Sequence, residues 1–104
     1  MRTTVSARHC EIADTLRDRA ESVLERLAHY SDRAMEGTVV FDMEGQTSRA
    51  ELRVHVTGGQ ILVAGGEADD HRTALDRAED KLVRQLKRTA DVPRDRRRAA
   101  SEPA

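Results

Sequence analysis

The sequence predicts an α+β domain with the element order β-α-β-β-β-α, in which a four-stranded mixed sheet carries both helices on one face. Two stretches place apolar residues at helical spacing, and the stretch between them alternates apolar with polar residues. One apolar side on each helix and on the sheet implies a single shared core. The length of 104 residues is that of one domain.

The first strand and the first helix are predicted from a change in the spacing of the apolar residues near residue 14. Thr3, Thr4 and Val5 favour extended structure over residues 2–7. The helix is then expected from near Asp14 to Tyr30. Its apolar side consists of Leu16, Ala20, Val23, Leu24 and Leu27.

Three further strands are predicted to form an antiparallel meander. They cover residues 38–44, 50–57 and 60–64, with a turn at 45–48, a hairpin at Gly58-Gly59, and Gly65-Gly66 ending the last strand. The alternation turns five polar side chains toward water on the face without helices: Asp42, Glu44, Glu51, Arg53 and His55.

A long second helix is predicted after the meander, capped by Asp69 or Asp70 and ending at the latest at Pro93. Its apolar side is Leu75, Ala78, Leu82 and Leu86. We therefore expect a folded domain over residues 1–91 and a basic, flexible tail over 92–104. Four arginines against two acids give the tail a charge of +2, which leaves −3 for residues 1–91. Such a tail could contact RNA or only improve solubility.

The composition argues against several classes of function. The lone Cys10 suits a reducing compartment, and the four histidines lack metal-ligand spacing, so no catalytic residue, metal, cofactor or small-molecule substrate is predicted. No apolar run is long enough for a membrane span. Tyr30 and Phe41 are the only aromatic residues, which excludes a base-stacking sheet surface. The net charge of −1 leaves nucleic acid open, because local clusters decide that binding.

The second helix carries four cations on one line. Arg77, Lys81, Arg84 and Arg88 lie within about 60° of arc, away from the apolar side. Such a stripe suits a phosphate backbone. Spacing alone favours an ordinary solvated face that is helped by a pair such as Asp80–Arg84.

The first helix offers a weaker basic line. Arg19, Arg26 and Arg33 share an outer line, with His29 near it. Arg26 could instead pair with Ser22 or Glu25, so a structural role is left open for it.

Three segments resemble one known family. They read CEIADTLRDRAESVLERLAHYSDR in the first helix, VTGGQILVAGGEADDHRTALD across the hairpin and DKLVRQLKR in the second helix. They resemble the ribosome hibernation promoting factor family, which includes the ribosome-associated inhibitor called protein Y, in its short form. The resemblance covers residues 3 to about 91.

The resemblance implies a non-enzymatic, cytoplasmic factor of the stress response. It would bind rRNA of the small ribosomal subunit in the channel of mRNA and the A- and P-site tRNAs and keep idle ribosomes inactive. Separately from the resemblance, we expect the free protein to be a monomer. Carried over by position, the rRNA-binding residues are Arg26, His29, Lys81, Arg84, Lys87 and Arg88, to which the stripe adds Arg77. Ala13 stands where a capping threonine is implied, and Val23 where some members have a basic residue. The alternative is a diverged copy of the fold that acts on protein partners or on structured RNA in general.

Overall fold

The computed structural model describes residues 1–31 and 33–101, with side chains up to residue 88. Its elements are β1 (Arg2–Ala7), α1 (Asp14–Ala28), β2 (Ala34–Glu44), β3 (Thr47–Val56), β4 (Ile61–Ala68) and α2 (His71–Ser101). The strands form one sheet in the order β1-β2-β3-β4, parallel between β1 and β2 and antiparallel elsewhere. The predicted fold class and element order are confirmed.

Helix α1 buries the predicted apolar side. Ala20, Val23, Leu24 and Leu27 are fully buried, and Leu16 packs at the margin of the core. Ala13 occupies the N-cap position and supplies no side-chain acceptor, while Asp14 places negative charge in the first turn, where the helix dipole favours it. The helix ends at Ala28, two residues before the predicted end.

The hairpin of β2 and β3 supplies the centre of the core. Val39, Phe41, Leu52 and Val54 are fully buried on the face that carries the helices. The turn is shorter than predicted, because Thr47 and Ser48 already pair with Glu44 and Met43. Strand β2 also begins earlier, at Ala34, with an irregularity between Ala34 and Glu36 that the alternation does not reveal.

Strand β4 continues through the glycine pair that was predicted to end it. Gly65 and Gly66 pair with Glu51 and Ala50 of β3, and the strand ends at Ala68. The glycine at 66 is required by packing, because an added Cβ would lie 2.1 Å from the backbone oxygen of Ala74 in α2. The helix backbone therefore lies directly against the strand at this point.

Helix α2 begins with a side-chain cap from Asp70. Its carboxylate accepts hydrogen bonds from the backbone N–H of Thr73 at 2.8 Å and from the Thr73 hydroxyl at 3.0 Å. These bonds, the backbone one first, lower the pKa of Asp70. Leu75, Ala78, Leu82 and Leu86 are fully buried, as predicted.

The predicted end of α2 at Pro93 is wrong, because the helical backbone continues to Ser101. Proline loses one backbone hydrogen bond, but the helix before it is already nucleated and most residues after it are arginine and alanine, which favour helix. The flexibility of the segment 92–104 stays a prediction, and its last three residues lie outside the described part of the chain.

Replacing Gly66 with alanine tests the close approach of α2 to β4. Gly66→Ala should lower the free energy of unfolding by about 1–3 kcal/mol or more, because the backbone of α2 has to move away. Gly65→Ala is the matched control, since the nearest atom to its added Cβ is 3.9 Å away. Urea unfolding of both variants measures the difference. Equal stability of the two variants would contradict this packing.

Candidate nucleic-acid interface

One row of α2 side chains is bonded to the edge of the sheet. We call Arg77, Lys81 and Gln85 the edge row. Arg77 donates to the Glu67 carbonyl at 2.7 Å, Lys81 to the Gly65 carbonyl at 2.9 Å and Gln85 to the Val63 carbonyl at 2.8 Å. The acceptors are alternate residues of β4, so they all point outward from the same edge.

Two predicted RNA-binding residues, Arg77 and Lys81, therefore have a structural contact that their spacing did not reveal. Both are exposed, and each uses one donor group in the bond to β4. A guanidinium has five N–H donors and an ammonium three. The donors that remain can still reach a phosphate, from a side chain whose position the strand edge has fixed.

A second row of α2 faces solvent. We call Arg84, Lys87 and Arg88 the outer row; all three are exposed and lie within about 100° of arc. Within the part of the chain whose side chains are described, Arg84 and Arg88 have no ion-pair or hydrogen-bond partner, and the pair Asp80–Arg84 is not formed. The outer row is the surface where cations are available to a ligand.

Arg19 and Arg26 of α1 contact α2 instead of forming the predicted outer line. Arg19 pairs with Asp76 of α2 at 2.8 Å, and Arg26 makes two hydrogen bonds of 3.1 Å to the carboxylate of Glu79. Neither Ser22 nor Glu25 is the partner of Arg26. The prediction of a shared outer line is wrong, because α2 lies beside α1 and supplies acids that the sequence of one helix cannot reveal.

Arg26 remains accessible although it is paired. Its side chain is 51% exposed, and the hydrogen bonding that it donates to the Glu79 carboxylate is the first cause that raises the pKa of Arg26. Arg33, the third member of the predicted line, bonds Thr57 through its Nε and Nη2 atoms and supports the loop between β3 and β4.

The end of α1 meets the outer row at Tyr30. The Lys87 ammonium lies 5.4 Å from the centre of the Tyr30 ring, which is a cation–π contact. His29, the C-cap residue of α1, is exposed beside it in the chain. The structure thus brings Lys87 to the end of α1. Tyr30 was missed as a site residue, and its only signal was an aromatic side chain beside a predicted basic position.

The opposite face of the sheet has little unpaired charge. Arg49 pairs with Glu44 and Glu67, and Arg53 pairs with Glu51. A groove of about 580 Å³ runs from this face to α2 and has cations and acids in similar number along its walls. The face is therefore a poor match for a ligand of one charge sign.

Among the side chains that the structure describes, Cys10 and the His9–Asp42 pair are the groups that most resemble catalytic residues. Cys10 is half-buried, and burial is the first cause that raises the pKa of its thiol, so the thiolate is disfavoured. His9 contacts the Asp42 carboxylate at 3.1 Å, a bond that lowers the pKa of Asp42. No group of three or more metal-binding side chains occurs among the described residues.

The described helices include none with the length and apolar character that crossing a bilayer requires.

Comparisons with known proteins give relatives over most of the chain. A protein of Azotobacter vinelandii named ribosome hibernation promoting factor is 34% identical over 86 residues, which are 83% of this chain and 79% of that protein. The protein of that name from Escherichia coli K12 is 33% identical over 91 residues, 88% of this chain and 95% of that protein.

A solved structure agrees in fold and in sequence. The N-terminal domain of protein Y from Thermus thermophilus superposes with a TM-score of 0.75 at 37% identity, over 86% of this chain and 99% of that domain. A family model described as Sigma 54 modulation protein / S30EA ribosomal protein matches residues 3–92. These matches confirm the resemblance noted in the sequence, and the chain belongs to the Sigma 54 modulation protein / S30EA ribosomal protein family.

Proposed function

We propose that this protein is a ribosome hibernation factor that binds rRNA of the small subunit through the end of α1 and the solvent-facing side of α2. In this role it occupies the channel of mRNA and the A- and P-site tRNAs and keeps idle ribosomes inactive under stress, in the cytoplasm. Membership of the family and relatives named ribosome hibernation promoting factor support the ribosomal role. The observation that supports RNA as the ligand is the solvent-facing outer row of three cations.

The proposed interface has a centre and a margin. Its centre is the outer row together with His29, and its margin is Arg26, Arg77 and Lys81, each of which is held by an intramolecular contact. Cations whose positions are already fixed lose less conformational entropy when they meet a phosphate. This arrangement favours a folded RNA of matching shape over flexible single strands.

The alternative of a protein-binding module relied on an acidic sheet face. In the structure Asp42, Glu44, Glu51 and Glu67 all have an arginine or histidine partner. That pairing reduces the acidic field that would attract a basic protein. The helical side, where Arg84 and Arg88 have no acidic partner among the described side chains, is the better candidate for the main interface.

Removing two cations of the outer row should weaken binding to small subunits in a salt-dependent way. Each lost phosphate contact lowers the slope of log affinity against log salt by about 1, so Arg84→Ala/Arg88→Ala should lower it by about 2. Co-sedimentation with purified small subunits over a range of salt concentrations measures the slope.

Arg49→Ala/Arg53→Ala is the matched control, because it removes the same charge from the opposite sheet face. It should keep the wild-type slope. Loss of binding in this control, with full binding by the outer-row variant, would place the interface on the sheet. Failure of the wild-type protein to bind small subunits at low salt would refute the proposed function.

Neutralising Glu79 should strengthen binding. The Glu79 carboxylate lies beside Arg26, near the proposed interface. It repels the negatively charged phosphates of RNA, and for a phosphate about 10 Å away in water, removing this repulsion gains about 0.4 kcal/mol, or about twofold in affinity. Glu79→Gln keeps a hydrogen-bond acceptor for Arg26. Co-sedimentation at low salt should show the gain, and Glu51→Gln on the opposite sheet face should show none. Unchanged binding by Glu79→Gln at low salt would place Glu79, and Arg26 beside it, away from the interface.

Occupation of the channel predicts competition with the ligands of a working ribosome. Prebound protein should prevent small subunits from retaining labelled mRNA and initiator tRNA on a filter, in proportion to its own occupancy. The Arg84→Ala/Arg88→Ala variant should compete less at the same concentration. Simultaneous retention of the protein and both RNAs would place its binding site elsewhere on the subunit.

A further inference from the structure

Strand β4 lies at one edge of the sheet, and its length and exposed apolar side chains are typical of a strand that can pair with a strand of another molecule. It has eight residues, and two apolar side chains near its start, Ile61 and Val63, are 48% and 44% exposed. Exposed edge strands of this kind are templates for pairing with another chain. The family assignment does not explain how this edge is kept closed.

The edge row covers the open edge of β4, because the spacing of its side chains along α2 matches the spacing of the outward carbonyls along the strand. Arg77, Lys81 and Gln85 are four residues apart, a rise of about 6.0 Å along a helix. Their acceptors, the carbonyls of Glu67, Gly65 and Val63, are two residues apart, about 6.6–6.8 Å along a strand. The helix runs antiparallel to the strand, so three successive donors meet three successive outward carbonyls.

The opposite edge of the sheet, strand β1, is covered in a similar way by one side chain of α1. Arg17 of α1 donates from its Nη1 atom to the carbonyl of Val5 in β1 at 3.0 Å. Strand β1 is shorter, with six residues. On each edge, the following helix supplies donors to outward carbonyls, and the longer, more apolar strand receives three of them.

We propose that the edge row is a clamp that prevents β4 from pairing with β4 of a second copy of this chain, and so keeps the free protein monomeric. Antiparallel pairing of two β4 strands about a twofold axis would use the same outward carbonyls in both copies. The clamp occupies these acceptors and places two charged side chains along the path of the incoming strand. This role does not depend on RNA binding.

The test compares two variants that lose the same charge. Arg77→Ala/Lys81→Ala/Gln85→Ala removes the clamp and two positive charges, while Arg84→Ala/Arg88→Ala removes two positive charges from the outer row. Sedimentation velocity at rising protein concentration should show the clamp variant approaching twice the monomer mass. The wild type and the outer-row variant should remain monomeric.

A further substitution identifies the strand that pairs. Gly65 directs its carbonyl outward, so its N–H also points away from β3, and proline is tolerated at such edge positions. Adding Gly65→Pro to the clamp variant should restore the monomer. If the triple variant loses its cooperative thermal transition, Lys81→Ala/Gln85→Ala, which keeps Arg77 and loses one positive charge, is compared with Arg84→Ala, which also loses one.

Three results would overturn the proposal: a monomeric clamp variant that is folded, equal dimerisation of the outer-row variant, or a dimer that persists with Gly65→Pro. The first would make the edge row dispensable, the second would assign the effect to net charge, and the third would place the contact away from β4. Ribosome binding is not a readout here, so the outcome is independent of the proposed function.

Discussion

The arrangement of this domain depends on the close approach of α2 to β4 at Gly66. Only a residue without a Cβ fits there, because the backbone oxygen of Ala74 occupies the space where a side chain would begin. The approach brings α2 near enough for Arg77, Lys81 and Gln85 to reach the outward carbonyls of the strand. It also fixes the rotation of the helix, and therefore which of its cations face solvent.

Once its rotation is fixed, the sides of α2 have different tasks. One side fills the core with leucine and alanine, and another bonds the edge of the sheet. A third pairs its acids, Asp76 and Glu79, with arginines of α1. Arg84, Lys87 and Arg88 form the outer row, which meets the end of α1 through the contact of Lys87 with Tyr30. A protein with net charge −1 can thus present a local cationic surface.

The sequence predicted what is periodic and missed what depends on tertiary neighbours. The apolar stripes of both helices, the strand order and the Asp70 cap follow from local patterns, and the structure confirms them. The continuation of β4 through Gly66 could not be predicted, because the helix backbone that requires glycine at this position comes from a tertiary contact with Ala74. The partner of Arg26 was missed for a similar reason, since Glu79 lies 53 positions away in the chain. The four cations Arg77, Lys81, Arg84 and Arg88 have the predicted helical spacing. The first two are also bonded to β4, which the spacing alone does not reveal.

Binding of the small subunit through the helical surface can be measured with the only two lysines, Lys81 and Lys87, as reporters. Their rates of acetylation, and that of the N-terminal amine beside β1 at the far edge of the sheet, are measured by mass spectrometry with and without purified small subunits. Bound subunits should slow acetylation of both lysines several-fold and leave the acetylation rate of the N-terminal amine unchanged. Unchanged acetylation rates of both lysines on fully bound protein, together with slower acetylation of the N-terminal amine, would contradict binding through the helical surface.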